Sequence, residues 1–361
     1  MQSSTSISDQ QLVTNTSDPQ NHHYVNPLVS SFPSVVGPKL PCKYRVRRAI
    51  GRGAFSTVWL LINNRTGKTV VGKLSDASHS SSSSKVFAES EVENMRCCSH
   101  PNIISLMETF QAGEKSLHIL EYANAGDLQA QVDTRAKPPP GTNDGSPIPY
   151  LEDEVLVIFA QLGLAIRYLH DRRIMHRDLK TSNVLLTRSG LIKLGDFGFS
   201  RQYQESVSGE VGKTFCGTPY YLAPEMWQRQ SYSHKADIWS LGVIMYELLA
   251  LKKPFQAANL SELMEMVTRQ GSFDPLPGDR YSPDMISLVN QMLRVDPSER
   301  PSINDILALP LFQQRGLTVL KINVRRIKNL DAEVRARLVE DVEAVLGDNK
   351  LSSEASPLRQ E

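Results

Sequence analysis

Residues 44–74 read YRVRRAIGRGAFSTVWLLINNRTGKTVVGKL. The β-branched and aromatic residues come in short runs (YRVRRAIG, AFSTVWLLIN, TVVGKL) broken by Gly and Asn-rich turns, the pattern of an antiparallel sheet. Beyond it, SHSSSSS (78–84) reads as a flexible bridge by composition. The following KVFAESEVENMRCC (85–98) sets Val86, Val92 and Met95 roughly on one helical face. IISLMETF and SLHILEYA add two strands. After Asp127 the character changes. KPPPGTNDGSPIP (137–149) is too rich in Pro and Gly for a helix, whereas LEDEVLVIFAQLGLAIRYLH has helical spacing and an acidic first turn, which suits the helix dipole. HKADIWSLGVIMYELLA, NLSELMEMVTRQ and PDMISLVNQMLR read as further helices. A sheet-rich front and a helix-rich back predict an α+β, two-lobed chain with a small N-lobe sheet and a large helical C-lobe.

The bulk numbers agree with one large domain plus tails: 361 residues, 40% hydrophobic and 22% charged. A net charge of +1 argues against a polyanion binder working by bulk attraction, so no nucleic-acid partner is expected. Cys42, Cys97, Cys98 and Cys216 have neither the number nor the spacing of a disulfide frame or zinc site and fit a reducing compartment. No leader-like or membrane-spanning run is seen, and Gln2 replaces the glycine of a myristoylation signal, so an intracellular, cytoplasmic protein is expected. Residues 1–40, polar and almost uncharged, are expected to be disordered.

Three stretches carry chemistry. In IGRGAFSTV (50–58), Gly51 and Gly53 alternate between two strands, where backbone can approach phosphate oxygens and donate N–H groups. Alone this is no better than an ordinary hairpin. Lys73, one strand later, is placed to reach the α- and β-phosphates, with Glu91 on the next helix as its partner. A solvated strand lysine is the bland alternative. MHRDLKTSNVLL (175–186) is far more specific. Asp178, Lys180 and Asn183 put a carboxylate, an ammonium and an amide into one tight loop, able to orient a hydroxyl, stabilise phosphoryl charge and offer oxygen to Mg²⁺. In KLGDFGFS (193–200), Asp196 supplies a second metal ligand, with Phe197 and Gly198 as a packed hinge.

With these residues in this order, the chain resembles a eukaryotic protein kinase from about Tyr44 to Phe312, and its APE (223–225) and DIWSLG (237–242) strings extend the match. The resemblance implies ATP with Mg²⁺ (Mn²⁺ as the alternative) and a nucleotide site of Ile50, Gly51, Arg52, Gly53, Ala54, Phe55, Ser56, Thr57, Val58, Val71, Lys73, Glu91, Leu120, Glu121, Ala123 and Leu185. It also implies Leu120 as gatekeeper, Glu121 to Ala123 as the adenine hinge, and His176 and Arg177 as loop scaffold. Asp237 would brace that loop, and Glu225 would pair with Arg300. Lys180 and GTPYY (217–221), whose Thr218 would bond Asp178 and Lys180, are the Ser/Thr pattern. Phe199 resembles kinases preferring serine. VVGKLSD, ILEYANAGDL and KTFCGTPYYLAPE are similar to NIMA-related kinases. Ser56 departs at the third loop glycine, with a small effect on ATP affinity expected, and Leu106 departs where that group often has Tyr. Relatives associated with flagella, centrosomes or basal bodies make such sites an expectation by resemblance.

Thr214 matches the group's activating phosphosite, reached by an upstream kinase or trans-autophosphorylation. Its phosphate would add charge close to −2 and pair with Arg177. Beyond Phe312, one amphipathic helix over about 331–346 is expected to carry Val334, Leu338, Val342 and Val345, with Glu333–Arg337 and Arg337–Asp341 as i,i+4 pairs and Gly347 as its stop. It would pack on the kinase itself, the alternative being a partner or a second copy, and SSEASPLRQE (352–361) would be disordered. VRRIK (324–328) reads as a solvated face. The competing functions are a pseudokinase scaffold, which the presence of Lys73, Asp178, Asn183 and Asp196 argues against, and a Ser/Thr kinase of another branch.

Overall fold

The computed structural model describes residues 43–52, 56–76, 95–112, 115–137, 146–196, 219–231, 233–269 and 273–354. The expected disorder of 1–40, the Ser-rich bridge, Glu91 with most of its helix, and the segment 197–218 lie outside the described residues.

β1 (Tyr44–Arg52), β2 (Ser56–Asn63), β3 (Thr69–Asp76), β4 (Leu106–Ala112) and β5 (Lys115–Leu120) form one antiparallel sheet in the order β1-β2-β3-β5-β4. The β2–β3 turn closes because Asn63 Oδ1 accepts from the backbone N–H groups of Arg65 and Thr66 and Gly67 takes the left-handed conformation. Trp59, Leu61, Val70, Leu117 and Ile119 fill a small core with Tyr44. The alternate positions Val58, Val71 and Lys73 belong to the opposite face, because successive strand side chains alternate. The strand read from IISLMETF begins only at Leu106. Ile103 and Ile104 are buried in the larger core instead, and Ile103 bridges to Leu194.

That larger core is helical. α1 (Leu128–Arg135) and α2 (Glu152–Asp171) are followed by the MHRDLKTSN string (175–183), which ends in a short 3₁₀ turn (Thr181–Asn183), and by the hairpin β6 (Val184–Leu186) and β7 (Ile192–Leu194). Glu154, in the first turn of α2, accepts the Leu151 backbone N–H and both Arg135 Nη groups, and these bonds hold its carboxyl below the usual range. α3 (Pro224–Trp227), α4 (Lys235–Ala250), α5 (Leu260–Thr268), α6 (Pro283–Met292) and α7 (Ile303–Ala308) complete the lobe. α4 is apolar nearly all round, and every residue from Ala236 to Leu249 is buried, as a central helix requires. α6 reaches α4 closely at Gly242, where an added Cβ would lie 2.9 Å from Met292 Cβ.

The C-terminal extension differs from expectation. After a π turn (Leu311–Gly316) come two helices, α8 (Leu317–Arg326) and α9 (Ala332–Glu354). VRRIK straddles the end of α8, and its Arg325, Arg326 and Lys328 are exposed, as the solvated-face reading expected. Val324 is buried, and the last carbonyls of α8 are satisfied by Arg335 of α9, which donates to Val324 O, Arg325 O and Ile327 O. α9 runs past Gly347, which does not adopt the left-handed conformation that makes glycine a helix stop, and reaches Glu354, so 352–354 are helical where disorder was expected and 355–361 lie outside the described residues. Leu338, Val342 and Val345 are buried against the chain's own core. Arg337 keeps a charge interaction with Asp341, where it opposes the pKa rise that burial causes, but its hydrogen bonds go elsewhere. Its two terminal nitrogens donate to Ser99 Oγ and Ser99 O, both at 2.7 Å. An exposed i,i+4 pair is worth only about 0.3–0.5 kcal/mol, and two charge-assisted hydrogen bonds outweigh it. Among the described residues no helix is long and apolar enough to cross a membrane.

Candidate active site

The site lies where β3, the loop after α2 and the end of β7 meet. Lys73 Nζ on β3 sits 2.6 Å from Asp196 Oδ1, although the two are 123 residues apart. Within the loop, Asp178 Oδ2 accepts from Lys180 Nζ at 2.7 Å and from Asn183 Nδ2 at 2.9 Å, and Asn183 Nδ2 also donates to Asp178 O. With its nitrogen engaged, the Asn183 amide can offer only Oδ1 to a ligand. Gly195 N donates to Asn183 O at 2.8 Å, tying the Asp196 segment to the loop. The expected group of Lys73, Asp178, Lys180, Asn183 and Asp196 is thus assembled.

Buried groups hold this arrangement. Asp237, in the first turn of α4, accepts the backbone N–H groups of His176 and Arg177, each at 2.9 Å, and lies 2.9 Å from His170 Nε2. Burial alone would raise its pKa. The His170 hydrogen bond and the Arg177 amide override this and lower it, so Asp237 is a carboxylate. His176 bridges the two halves of the site: Asp178 N donates to its Nδ1 and its Nε2 meets Gly195 O at 3.2 Å. Burial lowers its pKa, so it is a neutral ring donating from Nε2. Arg177 (φ 67°) and Asp196 (φ 52°) both take left-handed backbone. Such strain in non-glycine residues persists where surrounding contacts over-determine it, often at functional sites. No sequence pattern marked it.

On the sheet face expected to meet the nucleotide, Val58 pairs with Lys73 and Val71 with Leu120 across the sheet. Leu185 lies under Gly195, whose added Cβ would meet it at 3.3 Å. Gly51 sits opposite Val58, flanked by exposed Ile50 and Arg52, with Ser56 and Thr57 half-buried. Glu121 donates its N–H to Ser105 O and binds Lys193 Nζ at 2.6 Å, an ion pair unforeseen in the sequence, and Ala123 follows half-buried. His118, opposite Lys73, is pushed down to about 4 by burial and then by Lys73 and Arg96. Gly53, Ala54, Phe55, Glu91, Phe197, Gly198, Thr214 and Thr218 lie outside the described residues.

Below the site, Glu225 and Arg300 form a buried two-pronged ion pair, both bonds 2.8 Å. A second buried network was missed. Tyr221 donates to Glu247 at 2.5 Å, Lys253 pairs with Glu247, and Thr181 Oγ1 lies 2.8 Å from the Tyr221 hydroxyl. Burial, then the Glu247 charge, raises the Tyr221 pKa. Tyr221 lies 26 residues from Glu247 and 40 from Thr181, so only the fold could reveal this meeting.

An amide oxygen and a half-exposed carboxylate are hard donors and fit a divalent cation such as Mg²⁺. Residues 44–312 match the protein kinase domain family. The chain is 40% identical over 316 residues to serine/threonine-protein kinase A of Trypanosoma brucei brucei, covering 88% of this chain and 70% of that protein. It is 37% identical over 273 residues to human Nek5, covering 75% of this chain and 36% of Nek5. With mouse Nek4 the identity is 33% over 327 residues, covering 87% and 40%.

Proposed function

The chain belongs to the protein kinase family and is a serine/threonine kinase of NIMA-related type, and from that premise we propose that it moves the γ-phosphoryl group of ATP onto protein hydroxyls using the five residues that meet at the site. The observation carrying this reading is the convergence of Lys73 on Asp196 beside the Asp178–Lys180–Asn183 loop. The substrate oxygen attacks the γ-phosphorus, the bond to the β-phosphate oxygen breaks, and the hydroxyl proton passes to the Asp178 carboxylate. Lys180 faces charge on the transferring group, and Lys73 holds the α- and β-phosphates. Asn183 and Asp196 would hold Mg²⁺, which supplies neutralisation of phosphate charge. The glycine loop, Val58, Val71, Leu120, Glu121, Ala123 and Leu185 would enclose the nucleotide, and Phe199 favours serine acceptors.

The test is incorporation of phosphate from Mg–ATP into a generic basic protein. Asp178→Asn is expected to lower kcat by about 10²- to 10⁴-fold, the contribution of a positioned acid–base group. Equal activity in Asp178→Asn would refute the reading. Activation is proposed to follow phosphorylation of Thr214, with the exposed Arg177 guanidinium as partner. Thr214→Ala should then lose most activity, and full activity in that variant would remove this proposal.

A further inference from the structure

Ser99, far from the reacting groups, is held at every polar atom. Its N–H donates to the Tyr168 hydroxyl of α2 at 2.9 Å, while Arg337 of α9 donates to Ser99 Oγ and Ser99 O. Arg172 packs over the Tyr168 ring at 3.6 Å, and the His100 ring leans against the same tyrosine at 5.1 Å. The Asn102 N–H donates to His100 Nδ1, which places the ring proton on Nε2, 3.4 Å from Asp341 Oδ2 of α9. Burial, with Arg337, Lys193 and Arg172 nearby, pushes His100 down to about 3, so this contact is a neutral one rather than a charged pair.

From Asn102 the connection runs straight into the site. Leu194 N donates to Asn102 O at 2.8 Å, Ile104 N donates to Leu194 O at 2.9 Å, and Asn102 Nδ2 reaches Ile192 O and Gln161 Oε1. Leu194 is two residues before Asp196, and residues 95–97 just upstream form a helical turn whose Met95 is buried in the large core. Both sides of the segment 99–104 are therefore anchored, one by α9 and the other by β7, which ends two residues before Asp196.

We propose that Arg337 is a positioning residue for phosphoryl transfer: through Ser99 and the 99–104 segment, α9 fixes the end of β7 and with it Asp196. The C-terminal extension is on this view part of the working catalytic unit. The inference rests on the kinase reading above. Arginine suits the task because its rigid planar fork presents two fixed donors to the hydroxyl and the carbonyl of one residue, whereas a lysine offers one flexible point charge.

The test uses the full chain with Arg337→Ala, Arg337→Lys, Ser99→Ala and, as control, Arg325→Ala, which removes the exposed Arg325–Glu343 contact of the same helix pair without touching Ser99. Arg337→Ala should lower kcat by about two- to thirtyfold, the span of coupling through packed networks. It should also raise the Mg²⁺ concentration needed for half-maximal rate and leave KM for the protein substrate unchanged. Arg337→Lys and Ser99→Ala should fall between it and the parent, and Arg325→Ala should match the parent. Amide exchange at Ile104 and Leu194 should quicken in Arg337→Ala, a readout that needs no catalysis. Parent-like kcat and Mg²⁺ dependence in Arg337→Ala, or an equal loss in Arg325→Ala, would overturn the proposal. Were the parent chain inactive even with Thr214 phosphorylated, the kinase reading would fail separately. Unchanged exchange at Leu194 in Arg337→Ala would then still reject the positioning role.

Discussion

Arg300→Ala should be among the most damaging single changes outside the active site. All five guanidinium N–H donors are used: Nε to Arg294 O, Nη1 to Glu225 Oε1 and Lys235 O, Nη2 to Glu225 Oε2 and Val295 O. The group also lies 5.1 Å over the Trp239 ring, and neither partner of the ion pair is more than 2% exposed. Truncation leaves the Glu225 carboxylate buried without its counter-charge, which costs about 3–5 kcal/mol. Three carbonyls lose their donor as well, which favours the upper end of that range. At about 2–4 °C per kcal/mol for a chain of this order of size, the melting midpoint should drop by roughly 6–20 °C. Urea unfolding followed by circular dichroism measures the free energy directly. Glu225→Gln placed on the Arg300→Ala background should recover about 1–3 kcal/mol, because the stranded charge is then gone. A loss below about 1 kcal/mol with an unchanged denaturant slope would refute this reasoning. It would mean that Lys235, whose Nζ already donates to Arg300 O, swings over to neutralise Glu225.

Two further outcomes follow from burial. His100 is held at about 3 in the folded chain by burial and by Arg337, Lys193 and Arg172, against about 6.5 when unfolded. The unfolded state therefore takes up the proton first, so stability is full above about pH 6.5 and falls as the pH drops toward 3. Between pH 6.5 and 5 this one group should cost about 2 kcal/mol, and His100→Asn should flatten urea-unfolding stability across that interval by about one proton's slope. Gly242→Ala improves local helix propensity by up to about 1 kcal/mol, yet its Cβ would press on Met292 Cβ at 2.9 Å and Leu293 Cδ2 at 3.0 Å. The net effect should be a destabilisation of about 1–3 kcal/mol, and a melting midpoint equal to the parent's would show that α6 moves aside freely.

Much of the site was legible because its residues are neighbours in the chain. The loop 175–186 brings Asp178, Lys180 and Asn183 within five residues of one another, so the hydrogen bonds among them are local. The helices α2 and α4 were equally plain from their spacing. Reading failed where two local signals competed. Gly347 looked like a helix stop, yet α9 continues through it. Arg337 looked like an i,i+4 partner, yet Ser99, 238 residues away, makes the better pair of bonds. LTVLKINVRR gave weak warning of α8, whose end is completed by Arg335 from the following helix.

Residue order alone pointed to the family, to most of the strands and helices and to the candidate reacting groups, because each depends on spacing over a few residues. Only the tertiary structure decided that Lys73 meets Asp196, that Asp237 grips two consecutive amides of the catalytic loop, and that α9 reaches the segment after Met95. Such pairings reflect which groups packing brings within hydrogen-bond range and which of them burial leaves no water to satisfy. Neither condition is written into any short stretch of chain.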